Sequence, residues 1–197
     1  DDNVINANAN KVTLGVLSGT GAISKTGTGD LVLNQNSQNY AGTATISQEA
    51  VVIGDNQALG TGQLVLENAT TLKTSTALDN VATKIAVSEK ATIDTAGFNS
   101  TLSGVVSGNG AIDKINAGRL ALEGNNSFDG QLNVRSGRVA INSGNSLGQS
   151  DNHLSLSEDT ALETAAALTA SQSIGIDKQA TIDTAGFNST LSGVVSG

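Results

Sequence analysis

Short apolar pairs separated by one small or polar residue recur along the chain. They include Leu31/Leu33, Ala44/Ile46, Val51/Ile53, Leu64/Leu66 and Ile85/Val87. A second series follows at Leu120/Leu122, Leu132/Val134, Val139/Ile141, Leu154/Leu156 and Ile174/Ile176. Alternation at period two predicts strands with one buried face. The spacing between strands narrows the fold further. Leu31 to Val51 and Ala44 to Leu64 are 20 residues apart, Val51 to Leu72 and Leu64 to Ile85 are 21, and Leu120 to Val139 is 19. A strand that returns at this interval suits one turn of a β-solenoid, each strand stacking on its equivalent in the turn below. The expected architecture is all-β: a parallel β-helix of about nine turns of roughly 20–22 residues, about 40 Å long at ~4.8 Å per rung.

A longer period lies over the short one. Ala91 to Gly108 (ATIDTAGFNSTLSGVVSG) is identical to Ala180 to Gly197, 89 residues on. Ser18 to Lys25 matches Ser107 to Lys114 in the same register, and Tyr40-Ala41-Gly42 matches Phe128-Asp129-Gly130 one residue short. This predicts a single β-helix fragment, 1–197, with a degenerate lead-in turn at 1–17 and repeat modules at 18–106 and 107–197. The chain stops at a repeat boundary, so a piece of a longer protein is expected. Ala161 to Ser173 has the best helical propensity. Its place in the repeat makes it strand, corner and strand instead.

Composition agrees. There is no Pro, whose missing N–H would break a stacked ladder, and there are 23 Gly for corners. Aromatics are only 2%, so the core must be aliphatic. No Cys is present, which removes a disulfide framework and thiolate metal sites. The net charge is −8 and the ten basic residues are scattered, which argues against nucleic acid as a partner. No apolar run approaches the ~18 residues of a membrane span. Asp1-Asp2-Asn3 opens the chain without a leader pattern, so export signals are expected outside this piece.

The stretch Leu17 to Gly54 carries Ser18-Gly19-x-Gly21, Ile23, Lys25, Gly27-x-Gly29, Leu31/Leu33, Asn34, Tyr40, Gly42 and a second strand, and Leu59-Gly60 follows. The second copy keeps Lys114, Gly118, Leu120/Leu122, Asn125, Phe128, Gly130 and Leu147-Gly148, with Asn116 at the first Gly of the Gly-x-Gly pair. This pattern resembles the passenger-associated β-strand repeat of bacterial autotransporters. The resemblance implies a right-handed β-helix, exported to the bacterial cell surface through an outer-membrane β-barrel that the parent chain would carry. It also implies adhesion, self-association or a stalk role, as in other members of that family.

Candidate chemistry is sparse. His153 is the one histidine, so neither a His-based triad nor a two-His metal site fits. Asp30 after Gly27-Thr28-Gly29 invites a calcium reading, but Arg119 replaces it in the second copy. The Gly-x-Gly pairs open no helix and precede no Gly-Lys-Ser/Thr, so they are corners rather than phosphate loops. Asp94 and Asp183 are equivalent but expected four turns apart. Asp151, Glu158, Asp159 and Glu163 form the densest acidic group and are read as a solvated face. Phe98, Phe187, Tyr40 and Phe128 are read as rings inside the solenoid or at its corners, with an exposed anchor as the alternative. The four Asn-x-Ser/Thr triplets carry no weight in so polar a chain. No catalytic, cofactor-binding or metal-binding residue is assigned, no cofactor is expected, and the partner-binding residues are open.

The sequence therefore points to a non-enzymatic surface passenger acting in adhesion or self-association through its polar outer face. Its expected partners are further copies on neighbouring cells, or host or matrix ligands. One alternative is a stalk that holds another domain away from the cell. Another is a polysaccharide-degrading β-helix enzyme, disfavoured by the absence of converging carboxylates.

Overall fold

The computed structural model describes residues 3–197. Asp1 and Asp2, the start of the expected lead-in turn 1–17, lie outside the described residues. Among the described residues, twenty-four short strands and one 3₁₀ turn, Gly144–Leu147, make up the regular structure, and every strand pair is parallel. The chain winds as a parallel β-solenoid of about nine turns with three faces. The first face stacks six strands, from Asn3–Asn6 to Val106–Ser107. The second runs the full length through ten strands, from Val12–Leu14 to Val195–Ser196. The third stacks Leu78–Val81, Ser100–Leu102, Arg119–Leu122, Arg138–Ile141, Thr160–Thr164 and Ala180–Asp183, and the remaining two strands, Thr169–Ala170 and Thr190–Leu191, pair as a separate short ladder.

The apolar spacings are the stacking registers themselves. Leu31 sits on Val51, Val51 on Leu72, Ala44 on Leu64, Leu64 on Ile85, and Leu120 on Val139. Away from the end turns the inward residues are almost all buried and form an aliphatic column. Ala161 to Ser173 is strand, corner and strand, as its place in the repeat requires. The 3₁₀ turn at Gly144–Leu147 was not legible in the sequence. There the chain cuts a corner, and Gly144 leaves no room for a side chain beside the Thr169 carbonyl.

Two charged residues stand inside the aliphatic column. Lys25 stacks between Ile5 and Ile46, and Lys114 between Ile93 and Val134; both are fully buried. Each ammonium bonds to backbone at a corner. Lys25 Nζ donates to the carbonyls of Gly27 at 2.6 Å and Gln48 at 2.8 Å. Lys114 Nζ donates to the carbonyls of Ile115, Asn116 and Ser136 and to the Thr95 hydroxyl. The lysine of the repeat motif is thus an internal staple that ties one corner to the next turn.

The 89-residue repeat is out of phase with the turn. Four turns carry the ladder from Ala91 through Ile112, Leu132 and Leu154 to Ile174, all on the second face. Ala180, the copy of Ala91, stands six residues beyond Ile174, in the next strand and on the third face. The same shift holds for Ile23–Thr26 against Ala111–Ile115 and for Leu31–Leu33 against Arg119–Leu122. A repeat therefore occupies four turns plus one face. Asp94 and Asp183 are separated by a face as well as by the expected four turns.

Candidate functional site

The candidate chemistry is dispersed, as expected, with one correction. His153 is half-buried on the outward side of the second face, its Nδ1 2.9 Å from the Ser173 hydroxyl. Asp94 accepts hydrogen bonds from the Asn116 side chain and the Ala96 N–H, both at 2.7 Å, and pairs with Lys73 at 3.7 Å. Asp183 is exposed and accepts the Ala185 N–H. Tyr40 and Phe128 are buried, while Phe98 and Phe187 are exposed at 40% and 44% on two different corners. Those two rings follow tight turns in which Ala96-Gly97 and Ala185-Gly186 have positive φ.

The four acidic residues do not form one solvated face. Glu158 does reach solvent and pairs with Lys178 at 2.8 Å. Glu163 does not: its side chain is 16% exposed and lies between two arginines. Arg119 Nη2 is 2.9 Å and Nε 3.0 Å from its Oε1, and Arg138 Nη1 is 3.7 Å from Oε2. Stacking brings the three together. Arg138 lies directly on Arg119, and Glu163 lies on Ala140, one rung above Arg138. The signal was present in the sequence, because Arg119 and Arg138 are one turn length apart.

This ion-pair group lies in a trough along the edge of the third face. One hollow of about 650 Å³ is lined by Arg119, Arg138, Glu163, Thr181 and Asp183 among others. A second, of about 460 Å³, is lined by Asn56, Asp79, Asn99 and Thr101 among others. They meet at Asn99 and Arg119, so the trough touches all six strands of the face. Ala121 and Ala140, outward but buried, form the floor of the face beside it. At Gly118, φ is +101°, and a side chain would strike the Phe98 carbonyl of the turn below, so the corner must be bare.

A second charged group stands on the second face around Asp113, with Arg135 Nε at 2.9 Å and Lys90 Nζ at 3.1 Å. Burial alone would raise the Asp113 pKa. Hydrogen bonds from Arg135, Asn133 and Lys90 outweigh it and hold the carboxyl below its usual range. Among the described residues no group of three or more His, Cys, Asp or Glu is placed to hold a metal ion. No helix among them is long and apolar enough to cross a membrane.

A parallel three-faced solenoid built on a repeated Lys-centred motif defines the class: the chain is similar to the repeat-bearing passengers that autotransporters export to the bacterial cell surface. The family model for the passenger-associated-transport-repeat matches residues 23–48 and 112–141, the two segments that hold Lys25 and Lys114. The chain is 29% identical over 128 residues to the "Adhesin BmaC autotransporter" of Brucella suis biovar 1 (strain 1330). That match covers 65% of this chain and 3% of the adhesin, so the chain spans a small part of the length of its relative. No solved structure matches the chain significantly.

Proposed function

We propose that this chain is a non-enzymatic segment of a surface adhesin, acting through the polar outer faces of a rigid rod. The observation that carries the reading is a division of labour along the rod. Inward residues build a mainly aliphatic column, and many outward positions hold Thr, Ser, Asn and paired charges, with small or β-branched apolar residues among them. The name of the Brucella relative, an adhesin, agrees with this use of the surface. Each contact made by such a face is weak. Linked along one rod, the contacts act at high effective concentration and add up to useful avidity.

The partners in this reading are further copies of the chain on neighbouring cells, or ligands on host or matrix surfaces. The modules at 18–106 and 107–197 are the units of repetition, and an outer-membrane barrel elsewhere in the parent chain anchors the rod. Hydrolytic or lyase chemistry is not part of the reading. Glu163 is neutralised by two arginines, and His153 and Asp94 belong to a different face. The stalk reading is favoured by the identity of 91–108 and 180–197, since duplication lengthens a rod without changing its ends.

Sedimentation velocity over a wide concentration range, at low and high salt, separates the two. Mass that rises with concentration supports self-association. Loss of that rise in high salt would assign it to outward charges, which a Debye length near ~8 Å at physiological ionic strength leaves effective only at contact. A monomeric rod at every concentration, together with no retention on host-cell or matrix-coated surfaces, leaves the stalk.

A further inference from the structure

We infer that the trough on the third face is a binding site for a linear, uncharged polysaccharide, held one sugar per rung. This rests on the surface-adhesin reading and gives that surface a ligand.

The first argument is length and period. The trough touches six stacked strands, about 24 Å at ~4.8 Å per rung. A hexopyranose in an extended chain advances by about one rung, so successive sugars meet successive rungs in the same way. An extended peptide advances about 3.3 Å per residue and drifts out of phase with the ladder.

The second argument is the lining. Asn99, Arg119, Arg138, Glu163 and Asp79 carry planar amide, guanidinium and carboxylate groups, which bond two neighbouring hydroxyls at once. Arg119, Glu163, Asn99 and Asp79 are already held in place. Glu163 fixes Arg119 through two contacts near 3 Å, and the Asn56 amide donates to Asp79. Little side-chain freedom remains to be lost when a ligand arrives. Thr181 and Thr101 add hydroxyls on either side.

The third argument is charge. The trough holds two cations, Arg119 and Arg138, and four carboxylates, Asp79, Asp159, Glu163 and Asp183. This excess of negative charge disfavours a polymer of uronic acids and leaves hydroxyl recognition as the means of binding.

The test is titration calorimetry of the chain with cellohexaose, chitohexaose and hexagalacturonate, and with the disaccharide of each. At least one neutral hexaose is expected to bind at least about tenfold more tightly than its disaccharide, with affinity little changed by salt. Ala161→Trp, which fills the trough from an outward position, should weaken binding on the order of tenfold. Arg119→Ala should weaken it as well, and Thr92→Trp on the second face should not. Circular dichroism of each variant confirms the fold. Binding of hexagalacturonate alone, binding of no hexaose, or binding unaffected by Ala161→Trp overturns the assignment. A chain that still self-associates or adheres in those cases loses the trough as its means and keeps the surface role.

Discussion

Lys114 is the residue in which the fold takes the largest local risk. Its ammonium replaces an aliphatic rung and is held by three carbonyls and a hydroxyl. Lys114→Met fits the column but leaves those carbonyls without a donor, and should cost about 1–3 kcal/mol in urea unfolding. The charge also sets a pH dependence. Burial lowers the Lys114 pKa to about 8, with nearby Asp94 opposing the shift. Between about 8 and the unfolded value of 10.5, the unfolded chain keeps a proton the folded chain has lost, so stability rises with pH. Lys25, lowered by burial, works in the same direction. Tyr40, raised by burial, works against it above about 10. Urea midpoints at pH 7.5 and 9.5 should therefore increase in the wild type and much less in Lys114→Met.

The left-handed corners are a further residue-scale test. Positive φ is the natural territory of Gly, with Asn and Asp tolerating it, but Glu49, Ala69 and Lys178 also adopt it, at φ 55°, 60° and 61°. Stacking on neighbouring turns holds these corners and overrides local preference. Ala69→Gly should relieve the strain and stabilise the chain by about 0.5–1 kcal/mol in the same unfolding assay.

Strands were the most legible elements, because inward positions must be aliphatic on every rung and outward ones need not be. Leu64, fully buried, and Val65, its outward neighbour, make the contrast measurable. Leu64→Ala should cost about 2–5 kcal/mol, and Val65→Ala less than about 0.5 kcal/mol. Equal losses would mean that this strand has no single buried face. Corners and outward groups were less legible. The 3₁₀ turn at Gly144–Leu147 follows from the close approach of Thr169, a residue 25 positions away. The Arg119–Glu163–Arg138 group needed the stacking register to bring residues 44 apart into contact. Reading Glu163 as solvated failed because its partners, Arg138 and Arg119, lie one and two turns below it, beyond any local window.

At the scale of the whole molecule, the phase of the repeat decides what the rod presents. A repeat in step with the turn would place every copy of a surface on one side. This one advances by four turns and one face, so identical segments such as 96–99 and 185–188 stand on different corners. A rod built this way meets partners from more than one direction. That suits adhesion among crowded neighbours better than attachment along a single line.

Distances between pairs of spin labels test this phase most directly, and a chain without cysteine gives a clean background. Thr71 and Ser155 lie in one outward row of the second face, linked through Thr92, Asp113 and Asn133. Thr70–Thr74 matches Thr160–Thr164, which makes Ala161 the repeat equivalent of Thr71, and the two lie on different faces. The structure predicts that Thr71→Cys with Ser155→Cys gives the shorter separation, about 19 Å between backbones at ~4.8 Å per rung. Thr71→Cys with Ala161→Cys should be longer by the step across a corner. The reverse order would place the repeat in step with the turn and contradict the account.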